Sequence, residues 1–213
     1  MANTHTYSRG EEIANAITHG IGALLSIAAL TILIIYAAMF GETIHIVSFI
    51  IYGISMLVLY TSSTLVHSFP DGKIKDLFET FDHASIYLFI AGTYTPFVLI
   101  ALPDVLGWSI FAFVWTMAIG GVVFKAFFTK RFMYISTLLY IGMGWIIVLV
   151  WQPLAASLTP MGLNLLITGG VLYTVGTIFY VWRGFPFHHM VWHLFVLAGS
   201  VVHFLAVLTL LHI

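Results

Sequence analysis

The chain has 213 residues, of which 61% are hydrophobic and 7% are charged. Soluble domains carry about 25% charged residues, so most of this chain cannot face water. Its net charge of −1 argues against nucleic acid as a partner, because nucleic-acid binding requires a basic face. The chain contains no cysteine, which excludes disulfides and thiolate ligands. A transition metal would therefore need histidine and carboxylate ligands.

Seven long apolar runs follow one another along the chain. Each is close to the ~20 residues that cross a bilayer core as a helix, and none alternates with period two. The runs lie at about 16–40, 44–66, 83–102, 106–124, 132–151, 161–182 and 190–211. The sequence therefore predicts an all-α polytopic membrane protein, a seven-transmembrane-helix bundle. The connections leave no room for a separate soluble domain, so residues 1–213 are predicted to form a single domain.

All seven basic residues fall on one side of the membrane when the runs are drawn as alternating spans. They are Arg9, Lys73, Lys75, Lys125, Lys130, Arg131 and Arg183. Short loops rich in lysine and arginine stay in the cytoplasm. We therefore predict a cytoplasmic N-terminus, an external C-terminus and a multi-pass location in the cell membrane.

Two kinds of helix-modifying residue occur inside the runs. Pro96 lies within the third run, where proline is expected to kink the helix or loosen one turn. Gly120-Gly121, Gly142-Met143-Gly144 and Gly169-Gly170 offer small faces of the kind that membrane helices use for close packing. We expect these glycines to lie at helix contacts.

Histidine and aspartate residues gather at the predicted cytoplasmic ends of three runs. The second run ends with Ser63 and His67, the third begins with Asp82, and the seventh begins with His189 and His193. Positions four apart lie on one face of a helix, so His189 and His193 can bind one metal together. Ionisable groups near the hydrocarbon are costly and usually mark function or pairing. These five residues are therefore predicted to form one site.

Three neutral imidazoles with an open fourth position are typical of catalytic zinc. No glutamate follows His189, which argues against a metalloprotease of the His-Glu-x-x-His type. Asp82 is the candidate catalytic base, either accepting a proton from water or serving as a fourth ligand. Ser63 is the second candidate, either donating to an oxyanion or orienting His67 or a water. Two histidines and Asp82 would also suit iron, so spacing alone leaves the metal open.

The remaining histidines are given simpler interpretations. His203 lies about 15 Å along the helix from His193, so it is predicted to be a buried, hydrogen-bonded interior residue. His19, with Asn15, belongs either to a cavity wall next to the site or to a helix start. His45 and His83 have no predicted partner.

Four ordered motifs support a resemblance to a known family. They are Glu11-Glu12-x-x-Asn15-x-x-Thr18-His19-Gly20, Ser63-x-x-x-His67, Asp82-His83-x-x-Ile86-Tyr87, and His189-x-x-x-His193 followed by Val202-His203-Phe204. With these motifs, over nearly its whole length, the chain resembles the haemolysin III family. That family lies within the wider group of progestin and adiponectin Q receptor proteins and alkaline ceramidases. The resemblance implies Zn²⁺ bound by His67, His189 and His193, with Asp82 and Ser63 beside the metal.

Three functions are consistent with these observations. The first is a zinc-dependent hydrolase that cuts an amide or ester bond of a membrane lipid in the inner leaflet. The second is a non-catalytic sensor or membrane-homeostasis protein in which zinc locks the helices together. A cytolytic pore ranks lower, because the outer halves of the runs are almost free of the polar groups that would line a water-filled path.

Overall fold

The structure is a computed structural model and describes residues 7–213. Within this range the chain forms helices and no strands. The α-helices are α1 (Arg9–Phe40), α2 (Thr43–Ser68), α3 (Lys73–Ala101), α4 (Asp104–Phe128), α5 (Met133–Gly144), α6 (Trp151–Ser157), α7 (Pro160–Val181) and α8 (His188–Leu208). Two 3-10 segments, Ile146–Val150 and Thr209–His212, complete the described fold.

Seven spans within residues 7–213 are long and apolar enough to cross a membrane. Six are single α-helices, the last extended by a 3-10 turn, and the fifth, Met133–Ser157, combines α5, a 3-10 segment and α6. Large apolar side chains such as Leu24, Val105 and Leu149 are exposed on the outside of the bundle, as expected for a surface that faces lipid. The predicted all-α, seven-helix membrane fold is confirmed.

The core lies around α3, the most deeply buried span. It packs against α2 on one side and α4 on the other, while α1 contacts both α2 and α8. Buried aromatic rings of α2 and α3, including Phe49, Tyr52, Phe89 and Phe97, belong to this core. Helix α3 runs without interruption through Pro96. The consequence for the site is that α3 can present side chains to a cavity on the inside of the bundle.

Two helices begin earlier than the apolar runs predicted. Helix α1 starts at Arg9 and α3 at Lys73, rather than near 16 and 83. Ser8 caps α1 in a capping box, with the Glu11 amide donating to the Ser8 hydroxyl and the Ser8 amide donating to the Glu11 carboxylate. An apolar run shows only the part of a helix that lies in lipid. The helix itself continues beyond the run as far as its backbone hydrogen bonds and its cap allow.

The fifth span is broken near its middle, although its run predicted one helix. Helix α5 ends at Gly144, and a 3-10 segment follows before α6 begins. The Tyr94 hydroxyl of α3 lies 2.8 Å from the Gly144 carbonyl oxygen and accepts a 2.8 Å hydrogen bond from the Ile147 amide. Backbone groups freed by a helix break in a membrane need such partners. The break is therefore stabilised by a tertiary contact.

The glycine prediction is confirmed for close packing at Gly121 and Gly169, and Gly170 has an ordinary contact, with the Trp145 ring 4.0 Å from an added methyl group. A methyl group added at Gly121 would overlap the Tyr87 ring, and one added at Gly169 would overlap the His203 ring. At Gly120, Gly142 and Gly144 an added methyl group would meet nothing within 4 Å. A helix turns about 100° per residue, so adjacent glycines cannot both face the same neighbour.

Candidate metal centre

Three buried histidines converge at the end of the bundle where α2 finishes and α8 begins. His67 lies in the last turn of α2, and His189 and His193 lie in the first two turns of α8. One ring nitrogen from each lies within 4.8 Å of the others, and residues 7–213 contain no other such group. The ring centroids are 4.5 to 5.3 Å apart. The structure thus brings together the three residues that the sequence predicted as ligands.

The hydrogen bonding of these rings fits a bound cation. His67 uses Nδ1 toward Glu12, and its buried Nε2 has no hydrogen-bond partner among the described residues. His189 Nδ1 is likewise buried without such a partner. A buried polar atom without a partner costs about 1–3 kcal/mol. A cation bound by the group would remove that cost, and neutral imidazoles suit zinc as well as several other transition metals. The group can therefore hold a metal ion.

Asp82 and Ser63 lie beside this group. Both line the same cavity as His189 and His193. Ser63 is buried and Asp82 is half-buried. Asp82 does not belong to the compact set of possible ligand atoms within the described chain.

A cavity of about 180 Å³ extends from the histidines into the bundle. Asp82, His189 and His193 line it next to the candidate ligands, and His203 and Trp151 line it farther along the bundle. His193 and His203 are separated by about 15 Å along α8. The walls between are mostly apolar and include Ile86, Phe89, Ile90, Phe97, Ile147 and Leu166. The cavity therefore offers a mostly apolar space next to the histidines.

Part of the cavity wall comes from the broken fifth span and from α7. Trp145 and Trp151 of the fifth span and Ile167 of α7 line the cavity and are also exposed on the outside of the bundle. Helices α5 and α7 have few contacts with each other. This part of the cavity wall therefore reaches the outer surface of the bundle.

Tyr7 covers the histidines from the side of the N-terminus. Its ring centroid lies 5.2 Å from that of His189 and 5.9 Å from those of His67 and His188. Burial raises the pKa of the Tyr7 hydroxyl, so this group stays neutral at physiological pH. Tyr7 had no role in the sequence analysis, because it precedes the first apolar run and belongs to none of the four motifs.

Helix α1 contributes a layer of contacts around the ligands. The His19 ring stacks on the His193 ring at a centroid distance of 3.4 Å, and His19 lines the cavity. Thr18 Oγ1 lies 3.2 Å from His193 Nδ1. Asn15 is fully buried on the same helix. Ser8 and Glu11 cap the helix, so neither Asn15 nor His19 forms the helix start, and His19 belongs to the cavity wall.

Four further histidines, which are His45, His83, His188 and His203, have hydrogen-bond partners of their own. His203 Nε2 lies 3.0 Å from the Leu166 carbonyl oxygen, which confirms the predicted buried, hydrogen-bonded role. His188 Nδ1 lies 3.1 Å from the Phe179 carbonyl oxygen. The sequence suggested no partner for His45 or His83, and the structure provides one for each. His45 accepts from the backbone of Glu42, and His83 contacts a backbone oxygen and the Tyr180 hydroxyl. The His45 contact depends on the exact start of α2, and the His83 contact with Tyr180 depends on how α7 packs. The sequence pattern specified neither.

A carboxylate that the sequence analysis did not assign to the site contacts the first ligand directly. Glu12 Oε2 lies 2.6 Å from His67 Nδ1, and Lys75 donates to Glu12 Oε1. Lys75 also lies 3.6 Å from Asp71. Glu12 precedes the first apolar run, so the predicted span left it outside the bundle. The capping motif beginning at Ser8 could have placed it inside α1.

Comparison with known proteins gives consistent matches over most of the chain. Residues 7–204 match the family described as Haemolysin-III related. The "Hemolysin-3 homolog" of Bacillus subtilis (strain 168) is 57% identical over 198 residues, covering 93% of this chain and 93% of that protein. "Hemolysin-3" of Bacillus cereus is 56% identical, covering 93% and 90%. The human "Monocyte to macrophage differentiation factor" is 30% identical over 163 residues, covering 74% and 67%.

Proposed function

The chain belongs to the haemolysin-III related family, and we propose that it is a zinc-dependent hydrolase of a membrane lipid. The bond cut is an amide or an ester. One observation carries the proposal: a group of three buried histidines adjoins an apolar cavity within a membrane bundle, and two of the three line that cavity. A purely structural metal site would not need that cavity.

The proposed ligands of the zinc are His67, His189 and His193. Zinc held by three imidazoles with an open position polarises a carbonyl group and lowers the pKa of bound water to about 7. Tyr7 covers the ligands on one side and so limits access of bulk water. Exclusion of bulk water strengthens electrostatic interactions within the site.

Asp82 and Ser63 are the proposed catalytic residues. Asp82 would accept the proton of the attacking water and pass it to the leaving group, as a positioned carboxylate can. The Ser63 hydroxyl would donate a hydrogen bond either to that water or to the developing oxyanion. Both residues line the cavity next to the histidines, which supports their assignment.

The proposed substrate is a lipid of the cytoplasmic leaflet of the cell membrane. Its acyl chain would occupy the apolar cavity, and its scissile carbonyl would lie at the histidine end. Entry would take place from the bilayer between the broken fifth span and α7, where residues that line the cavity are also exposed on the outside of the bundle. This route would spare the lipid from leaving the membrane.

A non-catalytic role with structural zinc is the second candidate, and one contact pattern favours it. His67 belongs to α2 and the other two ligands to α8, so a metal would cross-link two helices distant in sequence. Such a protein would sense or adjust membrane properties without turnover. A cytolytic pore ranks third, because the walls of the cavity are mostly apolar.

The hydrolase is tested with purified, zinc-loaded protein in liposomes that contain ceramides and glycerophospholipids, with products identified by mass spectrometry. We expect release of a fatty acid, and Asp82→Asn should lower turnover by about 10²–10⁴-fold while zinc stays bound. Asp104→Asn is the matched control, because Asp104 is exposed at the start of α4, at the opposite end of the bundle. No product from any of these lipids, with zinc bound, would favour the structural role.

The proposed orientation can be tested cleanly because the chain has no cysteine. Asp71 and Asp104 are exposed at opposite ends of the bundle. In intact cells, a membrane-impermeant maleimide should label Asp104→Cys and should label Asp71→Cys only after permeabilisation. The reverse pattern would place the histidines on the outer side and exclude an inner-leaflet substrate.

A further inference from the structure

The Glu12 carboxylate joins three helices beneath the candidate metal centre. Glu12 lies in the first turn of α1, His67 at the end of α2, and Lys75 in the first turn of α3. One carboxylate oxygen lies 2.6 Å from His67 Nδ1, and the other accepts from Lys75. The side chains of all three residues are largely buried. Both oxygens of the carboxylate are thus engaged, and its position is fixed from two sides.

The contact with Glu12 determines which nitrogen of His67 can bind a metal. An ionised carboxylate only accepts hydrogen bonds, so His67 Nδ1 must carry the proton. The lone pair of the neutral ring then lies on Nε2, the buried nitrogen that has no hydrogen-bond partner among the described residues. A metal-binding histidine requires such a lone pair.

We propose that Glu12 is a positioning residue of the metal centre, and that it fixes the tautomer of His67 and raises the basicity of its Nε2. Lys75 holds the carboxylate in place and balances its charge. Partners of this kind orient metal-binding histidines in proteins, and their loss typically weakens metal affinity 10–100-fold. The inference rests on the proposed metal site but not on catalysis.

Thr18 performs the same task for a second ligand, through a neutral contact. Its hydroxyl lies 2.9 Å from the backbone oxygens of Ala14 and Asn15 and donates its single proton to them. With that proton directed to the backbone, the Thr18 oxygen can accept from His193 Nδ1, 3.2 Å away, which would leave Nε2 of that ring for the metal. Helix α1 contributes none of the three ligands, yet it sets the tautomers of two.

The test compares zinc affinities of the full-length purified protein, measured by competition with a chelating dye. Glu12→Gln keeps the shape of the side chain but removes its charge, and it should weaken zinc binding about 10–100-fold. Asp76→Asn is the matched control. Asp76 also pairs with a lysine, Lys130, at this end of the bundle. The Asp76→Asn variant should bind zinc as tightly as the wild type.

A spectroscopic measurement separates positioning from folding. In the Co²⁺-loaded protein, Glu12→Gln should shift the visible absorption bands, because the donor strength of His67 changes, whereas Asp76→Asn should leave them unchanged. Should Glu12→Gln not fold, Glu12→Asp keeps the charge but is too short for the 2.6 Å contact, and weaker zinc binding is again expected.

Two outcomes distinguish failure of this inference from failure of the metal site. If His67→Ala abolishes zinc binding while Glu12→Gln binds zinc as tightly as the wild type with the same cobalt spectrum, the role of Glu12 is wrong and the metal site stands. If His67→Ala binds zinc as the wild type does, the metal site itself is wrong, and the inference falls with it.

Discussion

Helix α2 carries a buried histidine near each of its ends, and the two rings have different surroundings. His45 and His67 are 9% and 8% exposed. His45 Nδ1 accepts a 3.1 Å hydrogen bond from the backbone amide of Glu42, within its own helix start. His67 Nδ1 instead contacts the carboxylate of Glu12 on another helix, and its Nε2 lies near two further histidines.

The difference shows that burial of a histidine does not by itself indicate a site. His45 completes a capping box, which satisfies a backbone group that a helix start leaves without a partner. His67 has a buried nitrogen for which the described chain offers no partner. A buried polar atom without a partner requires an explanation, and here the neighbouring imidazoles provide one. The comparison predicts that substitutions at the two ends will have separable effects.

The largest expected effect is on bound metal. His67→Ala should remove nearly all zinc from the purified protein, because the two ligands on α8 would remain without the third. His45→Ala should retain the metal content of the wild type. Elemental analysis of the two variants and the wild type measures this difference. Equal metal content in all three proteins would show that His67 is no more a metal ligand than His45 is.

A smaller effect is expected where packing, and not the site, is changed. Gly121→Ala would place a methyl group against the Tyr87 ring, whereas Gly120→Ala would point into open space. Overpacking typically costs about 1–3 kcal/mol of unfolding free energy, so Gly121→Ala should lower the melting temperature and Gly120→Ala should not. Zinc content should be unchanged in both. Loss of zinc in Gly121→Ala would show that the packing of α3 and the metal centre are coupled.

The smallest expected effect is the loss of the cap at the far end of α2. His45→Ala removes the acceptor for the Glu42 amide, and loss of a helix cap typically costs about 1 kcal/mol. We expect a modest decrease in melting temperature at unchanged zinc affinity. If His45→Ala lowered the melting temperature as much as His67→Ala does through loss of the metal, His45 would contribute more than a helix cap.

The sequence predicted the spans better than their ends and interruptions. Long apolar runs identify helices in lipid because no other open structure satisfies backbone groups there. The starts of α1 and α3 were predicted too late, since their first turns are amphipathic and lie outside those runs. Because of this error, Glu12 was not assigned to the site, although the early start of α1 places it next to His67. The break after Gly144 was hidden as well, because Tyr94 of another helix stabilises it.

For the site, the sequence placed His67, His189 and His193 at one depth, because alternating spans and the basic residues order the helix ends along the membrane normal. It also placed His189 and His193 on one face through their four-residue spacing. Only the tertiary structure decided that the three rings meet within 4.8 Å, that Glu12 and Thr18 hold two of them, and that the centre opens into an apolar cavity. Depth along a helix follows from counting residues, whereas rotation of helices about their axes depends on packing between segments far apart in the chain.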